Sequence, residues 1–187
     1  MEYTNSERER FERIFRTHHL TVHAFARRRV TAEAVDDVVS ETFTVAWRRL
    51  DDIPDDPLPW LLGVARNVVG TARRGEARRL RLQTRAQADY QPQTEERELN
   101  LGSGLVNAAL ERLNERDREA LTLVGWDGLT PTEAAAVIGI PANRFRVRLH
   151  RAGRRLRWAL NAAEEEADAS AQQERPGHDF NSQGAVA

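Results

Sequence analysis

Closely spaced helix start and stop signals in the second half of this 187-residue chain constrain its fold more than any other feature. Thr130, Pro131 and Glu133 supply a capping hydroxyl, a proline for the first helical position and the second member of a capping box. Gly139 ends the short helix that follows, and Pro141 opens a longer one. Two helices joined by a turn of about three or four residues that includes glycine form a helix-turn-helix. The sequence predicts this unit here.

The second helix of this unit is strongly basic, although the whole chain has a formal net charge of -1. Residues 140–160 contain seven arginines and no acid. A helical wheel places Phe145, Leu149, Ala152 and Leu156 on one packing face. Solvated faces usually mix both signs of charge, so the arginines beside this face favour contact with DNA in the major groove. On one side of the packing face the arginines form a stripe of Arg144, Arg148, Arg151 and Arg155. On its other side lie Arg146 and Arg157.

Charge elsewhere in the chain is arranged in blocks. Residues 66–85 hold seven arginines against one acid, whereas residues 89–119 hold eight acids against four arginines. Residues 161–187 hold six acids against one arginine. Two basic patches separated by an acidic stretch indicate that the protein binds a polyanion through two separate surfaces. All 28 basic residues are arginine, a bias that a G+C-rich genome explains.

Composition and motifs exclude several classes of protein. The chain has no cysteine, which excludes disulfides and thiolate metal sites. It has no apolar run long enough to span a bilayer, and its N-terminus lacks the apolar segment of a secretory signal, so we expect a cytoplasmic protein without membrane insertion. No catalytic motif is present, and His19 and His23 alone do not make a metal site. We therefore predict neither an enzyme nor a cofactor.

Helical periodicity without strand-like alternation predicts an all-α fold in two small helical domains. In the first domain Thr31 is the expected cap of one helix, and the proline-rich stretch 51–59 should stay non-helical, with the next helix beginning near Trp60. The polar segment before Gly104 is expected to be a flexible linker. The predicted divisions are residues 6–86 and 105–160 for the domains, 87–104 for the linker and 161–187 for a disordered acidic tail.

The helix after Thr31 carries an acidic stripe beside its apolar one. Glu33, Asp37 and Glu41 follow one another at four-residue steps and therefore share a face. Such a stripe is either an ordinary solvated surface or a surface for docking another protein.

The order of these features resembles the extracytoplasmic-function sigma factors, the small two-domain members of the bacterial sigma-70 family of transcription initiation factors. The resemblance rests on DDVVSETFTVAWRRL, a Pro/Asp loop, PWLLGVARNVVGTARR, a linker and the helix-turn-helix, and it covers roughly residues 8–160. It implies a non-enzymatic subunit that gives RNA polymerase its promoter specificity.

The resemblance also implies roles for individual residues. Core polymerase, through its β′ clamp coiled coil, would bind the helix that carries Asp36, Asp37, Ser40 and Glu41. The melted −10 element would be bound by Trp60, Arg66, Asn67, Arg73, Arg74 and Arg78, and Arg79 would add a further phosphate contact. The −35 duplex would be read by Asn143, Arg144, Arg146, Arg148 and Arg151. The acidic linker would follow the RNA-exit path, and the other implied partners are the polymerase β flap and an anti-sigma factor.

This chain departs from the family pattern at two places. Ser40 stands where the family usually has glutamine, and Asn143-Arg144-Phe145-Arg146 replaces the usual Gly-Thr-Val-Lys. We expect Asn143 to keep the turn before the recognition helix, because asparagine tolerates the left-handed conformation. The alternative function is a freestanding helix-turn-helix regulator whose N-terminal helices bind a partner, and it predicts tight binding to a palindrome by the protein alone.

Overall fold

The structure, a computed structural model, describes residues 4–86 and 104–173. Within these ranges it contains seven α-helices, one short 3-10 helix at Leu50–Asp52 and no strand, which confirms the all-α prediction. The predicted linker lies outside the described residues except for Gly104, which begins α4. The helices are α1 (Asn5–Arg27), α2 (Ala32–Arg48), α3 (Pro57–Ala86), α4 (Gly104–Glu111), α5 (Glu115–Gly125), α6 (Pro131–Ile138) and α7 (Ala142–Gln173).

Helices α1, α2 and α3 pack against one another and form the N-terminal bundle. Phe25, Leu61 and Leu62 are fully buried at its centre. Removing each of these side chains from water stabilises the fold by about 2 kcal/mol. Thr31 occupies the N-cap of α2 as predicted, although its side chain makes no capping hydrogen bond. Thr42 is a polar residue buried in the core of the bundle. Its hydroxyl is satisfied by donating to the carbonyl of Val38 at 2.6 Å.

The third helix begins three residues before the predicted start near Trp60. Pro57 and Pro59 both lie in its first turn. The first N–H groups of a helix have no intrahelical acceptor, so a proline there removes no hydrogen bond and its fixed φ suits the helix. The prediction that the whole stretch 51–59 is non-helical was therefore wrong at its C-terminal end.

The helix-turn-helix has the predicted punctuation. The backbone N–H of Thr130 donates to the Glu133 carboxylate at 2.6 Å, and the backbone N–H of Glu133 donates to the Thr130 hydroxyl at 3.3 Å. Hydrogen bonds from the side chain and the backbone of Thr130 lower the pKa of Glu133, because they favour its ionised carboxylate. Gly139 ends α6 with φ 78°, a conformation that L side chains rarely adopt. The expectation that Asn143 forms the turn was wrong, because Asn143 lies inside the first turn of α7.

The predicted packing face of α7 is confirmed. Phe145 and Ala152 are buried, and Leu149 and Leu156 are half-buried. Among the residues that the structure describes, Phe145 is the largest fully buried side chain of the C-terminal half.

The prediction of a disordered tail was wrong for residues 161–173, which continue α7 as a helix. Alanine and glutamate have high helix propensity, and the extension also contacts the segment that follows α4. Ala163 is buried, and Arg112 forms an ion pair with Glu166 at 2.5 Å. Residues 174–187, the remainder of the predicted tail, lie outside the described residues.

The two halves of the chain pack on each other. Helix α6 lies between α3 and α7 and contacts both. Leu129, Ala134 and Val137 join the buried residues of α1–α3 in one continuous apolar cluster. Helix α3 therefore contacts the C-terminal domain as well as its own bundle. No helix among the described residues is long and apolar enough to cross a membrane.

Candidate polymerase and nucleic-acid surfaces

The acidic face of α2, which we define as Asp36, Asp37, Ser40 and Glu41, is exposed along its whole length. The opposite side of α2 is buried against α1 and α3, so packing fixes the orientation of the acids. Asp37, Ser40 and Glu41 also form one wall of a groove between α2 and α3. Apolar side chains of both helices line this groove, namely Val38, Val45, Val64 and Val68.

The residues predicted to bind the −10 element divide between two faces of α3. Trp60, Asn67, Arg74 and Arg78 follow one another at seven-residue or four-residue steps and form what we call the outer stripe. Asn67, Arg74 and Arg78 are exposed, whereas Trp60 is half-buried. The guanidinium of Arg49 lies 5.9 Å from the ring centroid of Trp60, at the outer limit of a cation–π contact.

Arg66 and Arg73 form the inner face of α3, which is turned toward the C-terminal domain. The Arg66 guanidinium donates to both carboxylate oxygens of Glu119, at 2.6 and 3.2 Å, and this pairing raises the pKa of Arg66. Arg73 Nη1 lies 2.6 Å from Glu115, and its Nε donates to the carbonyl of Arg29 at 3.1 Å. Both arginines are therefore engaged within the protein.

A second, buried cluster of charges lies in the contact between the N-terminal bundle and the C-terminal domain. The carboxylate of Asp127 is 0% exposed and pairs with both Arg28 and Arg29, the second at 2.6 Å. The Arg29 guanidinium also lies 3.5 Å from the ring centroid of Phe25. Burial lowers the pKa of Arg29, and the charge of Asp127 opposes that effect. Burying the charge of Asp127 or of Arg29 alone would be costly. The ion pairs between Asp127 and the two guanidinium groups offset this desolvation cost.

Sequence reasoning missed the partners in this contact. Glu115 and Glu119 belong to the acidic stretch 89–119, and the placement of that stretch between two basic patches was a signal for intramolecular pairing. Asp127 gave no such signal, because a lone aspartate after a helix is also a common turn residue.

The DNA face of α7, which we define as Asn143, Arg144, Arg146, Arg148 and Arg151, lies along the first three turns of the helix. All of these residues are exposed except Arg148, which is half-buried. Arg146 donates to the Thr132 hydroxyl at 3.4 Å, and the Asn143 side chain accepts from the N–H of Arg144 at 2.8 Å. Farther along the helix, Arg155 pairs with Asp117 of α5. The predicted −35 residues thus lie around the outward half of α7, with Arg144, Arg148 and Arg151 on one side of the packing face and Arg146 on the other.

Comparisons with known proteins agree with this architecture. The family model for sigma-70 region 2 matches residues 14–79, and the model for sigma-70 region 4 matches residues 103–156. The ECF RNA polymerase sigma factor SigL of Mycobacterium tuberculosis is 32% identical over 139 residues, which cover 71% of this chain and 78% of SigL.

Two solved structures share the fold. The structure of CnrH in complex with the cytosolic domain of CnrY has a TM-score of 0.56 and 27% identity, and covers 81% of this chain and 88% of CnrH. CnrH of Cupriavidus metallidurans is described as an RNA polymerase sigma factor. The sigma factor RpoE of Bartonella quintana, in complex with the anti-sigma factor NepR, has a TM-score of 0.61 and 23% identity, and covers 81% and 96% of the two chains.

These matches define the class of protein. The chain belongs to the extracytoplasmic-function sigma factors of the sigma-70 family. It is an RNA polymerase sigma factor that directs promoter-specific transcription. The alternative of a freestanding regulator is set aside, because that class would not account for a region 2 match across the N-terminal bundle.

Proposed function

We propose that residues 6–86 dock on core RNA polymerase and bind the melted −10 element, while residues 105–160 read the −35 duplex. One observation carries this assignment. The structure exposes an acidic face on α2 and a basic face on α7, and these faces belong to different domains. Opposite charges on separate domains suit two kinds of partner, a protein surface that accepts carboxylates and the phosphates of DNA.

The acidic face of α2 is suited to docking because its charges are uncommitted. Among the residues that the structure describes, Asp36, Asp37 and Glu41 form no ion pair with another side chain. The groove beside them adds apolar surface, and a protein interface usually combines such a centre with a charged rim. We assign this surface to the β′ clamp coiled coil.

The outer stripe of α3 is suited to single-stranded DNA. The half-buried Trp60 at one end can stack on an unpaired base. The exposed Asn67, two helical turns farther along, can form hydrogen bonds with a base edge. Arg74 and Arg78 continue the stripe and can bind the phosphates that follow. Of the predicted −10 residues, Arg66 and Arg73 form ion pairs within the protein, whereas no ion pair among the described residues involves Arg74 or Arg78.

The DNA face of α7 is suited to the major groove of the −35 element. Its residues occupy the N-terminal part of the second helix of a helix-turn-helix, which is the part that reaches base edges. Exposed arginines there can pair with phosphate or meet guanine through two hydrogen bonds.

We extend the proposal to partners and location. The chain acts without a catalytic site or cofactor, in the cytoplasm at the nucleoid, and it also contacts the β flap. An anti-sigma factor holds it inactive, as the complexes of CnrH with CnrY and of RpoE with NepR suggest.

The double substitution Asn67→Ala/Arg74→Ala tests the −10 assignment. Both side chains are exposed, so the fold should be unaffected. We expect holoenzyme formation to be unchanged and open-complex formation to fall at least about tenfold, because a lost base contact and a lost phosphate contact each cost on the order of 1 kcal/mol. Permanganate footprinting of the melted promoter measures this.

The control is Asn5→Ala/Arg13→Ala, which removes the same two residue types from the exposed surface of α1. Full promoter melting by the α3 variant, equal to that of the control, would contradict the assignment.

A further inference from the structure

The segment that leads from α2 into α3 ends close to Trp60, the residue proposed to stack on an unpaired base. This segment, residues 49–56, includes the 3-10 helix Leu50–Asp52, and we call it the entry turn. The guanidinium of Arg49, the first residue of the turn, lies 5.9 Å from the ring centroid of Trp60. A base stacked on that ring therefore lies beside the entry turn, and the position of the turn affects which bases fit.

Contacts within the entry turn hold it only weakly. The N–H of Asp52 donates to the carbonyl of Arg49 at 3.0 Å, and the N–H of Ile53 donates to the carbonyl of Leu50 at 3.3 Å. The Arg49 Nε also donates to the Asp52 carboxylate at 2.8 Å, but both side chains are more than half exposed. Exposed ion pairs of this kind contribute little to stability, so the turn depends on contacts from outside it.

Arg10 of α1 supplies such a contact, because it binds the backbone of the entry turn. Its Nη1 donates to the carbonyl of Leu50 at 3.0 Å, and its Nη2 donates to the carbonyl of Ile53 at 2.6 Å, across 40 and 43 positions of the chain. Carbonyls at the end of a helical turn lack partners within it, and a cation there is favourable. The guanidinium presents its N–H groups in a rigid plane, so binding two carbonyls fixes the orientation of the turn.

The same row of α1 reaches the other end of the entry turn. Arg10, Ile14 and His18 follow one another at four-residue steps, and Ile14 is buried. Burial lowers the pKa of His18, and the charge of Asp56, the last residue of the turn, opposes that effect. Asp56 is therefore close to His18, and α1 supports the turn at both of its ends.

We propose that Arg10 is a positioning residue for the −10 site. Through the carbonyls of Leu50 and Ile53 it holds the entry turn beside Trp60, and the turn then admits some bases to the ring better than others. Arg10 acts through the turn rather than on DNA, since it is half-buried against the turn. The inference rests on the proposed −10 role of α3 and adds a residue of α1, a helix to which that function assigns no part.

The test measures base selectivity at the −10 element with holoenzyme that contains Arg10→Ala. Each base of the element is replaced in turn in a promoter that the wild-type holoenzyme transcribes. The rate of open-complex formation is followed by the fluorescence of 2-aminopurine placed downstream in the melted region. The ratio of the rates for the best and the worst base is independent of the folded fraction, because a smaller active fraction lowers both rates equally. A wrong base at a recognised position typically costs roughly 5- to 150-fold, so a change in this ratio is measurable.

We expect Arg10→Ala to reduce the largest of these ratios about fivefold, because losing two hydrogen bonds from a charged donor loosens the turn. Binding to core polymerase should be unchanged. Arg10→Lys keeps the charge and can still donate to a carbonyl, so it should recover part of the ratio. Arg13→Ala is the matched control, since it removes an exposed arginine three residues farther along α1, and it should leave the ratio at the wild-type value.

Amide hydrogen exchange of the free, full-length protein follows the turn itself. The N–H groups of Asp52 and Ile53 donate within the turn. Arg10→Ala should therefore make both exchange at least about tenfold faster, because the turn opens more often, whereas Arg13→Ala should leave their exchange unchanged.

An unchanged base ratio in Arg10→Ala would overturn the proposal, and so would an equal loss of the ratio in Arg13→Ala. No recovery with Arg10→Lys would contradict the role of the hydrogen bonds and show that the arginine acts through packing. Whether α3 binds the −10 element at all is decided separately by the Asn67→Ala/Arg74→Ala holoenzyme. If that assignment fails, promoter melting by that variant stays at the control level, whatever residue stands at position 10.

Discussion

Replacing Asp37 and Glu41 by arginine should reduce the affinity of this sigma factor for core RNA polymerase at least about a hundredfold. The two carboxylates lie one helical turn apart on the exposed face of α2, beside the groove that α2 forms with α3. Reversing both charges puts like charges against a surface that accepts carboxylates, and such juxtaposition costs several kcal/mol. The fold should survive, because neither side chain is buried.

Fluorescence anisotropy of the labelled protein titrated with core polymerase measures this loss. The matched control is Glu164→Arg/Glu165→Arg, which makes the same change of net charge near the end of α7. Core binding by the α2 variant that equals the binding of the control would mean that the acidic face is only a solvated helix surface.

The second large effect is expected on α7. Changing Arg144, Arg148 and Arg151 to alanine should abolish initiation that depends on the −35 element and leave core binding intact. These side chains lie along the open part of the recognition helix, where each can bind one phosphate or one guanine. If each binds one phosphate, the slope of log affinity against log salt should fall by about 0.9 for each arginine removed.

Transcription from matched promoters with and without a −35 element, together with holoenzyme binding at several salt concentrations, measures both effects. Arg8→Ala/Arg13→Ala/Arg16→Ala is the control, because it removes three exposed arginines from α1. Equal loss of core binding and initiation in the α7 variant would show that these arginines are structural, and an unchanged salt slope would remove the phosphate assignment.

The parts of this fold that depend on local sequence were predictable. The capping box at Thr130, the stop at Gly139 and the packing face around Phe145 are set within a few residues of one another, and the structure has all three. Errors arose where a local rule has an exception. Because prolines usually interrupt a helix, the loop before α3 was predicted to extend too far. Pro57 and Pro59 instead fit the first turn of α3.

The tail shows a different limit of sequence reasoning. Residues 161–173 lack apolar bulk, so low hydrophobicity predicted disorder. Their alanines and glutamates instead extend an existing helix, which needs no new nucleation, and Ala163 packs against the body of the protein.

The two faces of α3 can also be distinguished in the sequence. Arg66 and Arg73 are seven residues apart and share a face, as do Asn67 and Arg74 one position later. The family resemblance grouped all four as DNA contacts, whereas the helical period separates them. What no local pattern contains is the identity of the partners, because Glu119 pairs with a residue 53 positions away and Asp127 with one 98 positions away.

Promoter-specific initiation by this protein is tested most directly by a transcription experiment with core RNA polymerase that carries no other sigma factor. The purified protein is added, genomic DNA of its own bacterium serves as template, and the 5′ ends of the transcripts are mapped. We expect new start sites that share a −35 and a −10 element at constant spacing and that disappear with Asp37→Arg/Glu41→Arg. No new start sites, together with tight binding of the protein alone to a palindromic duplex, would show instead that the protein acts as a freestanding regulator.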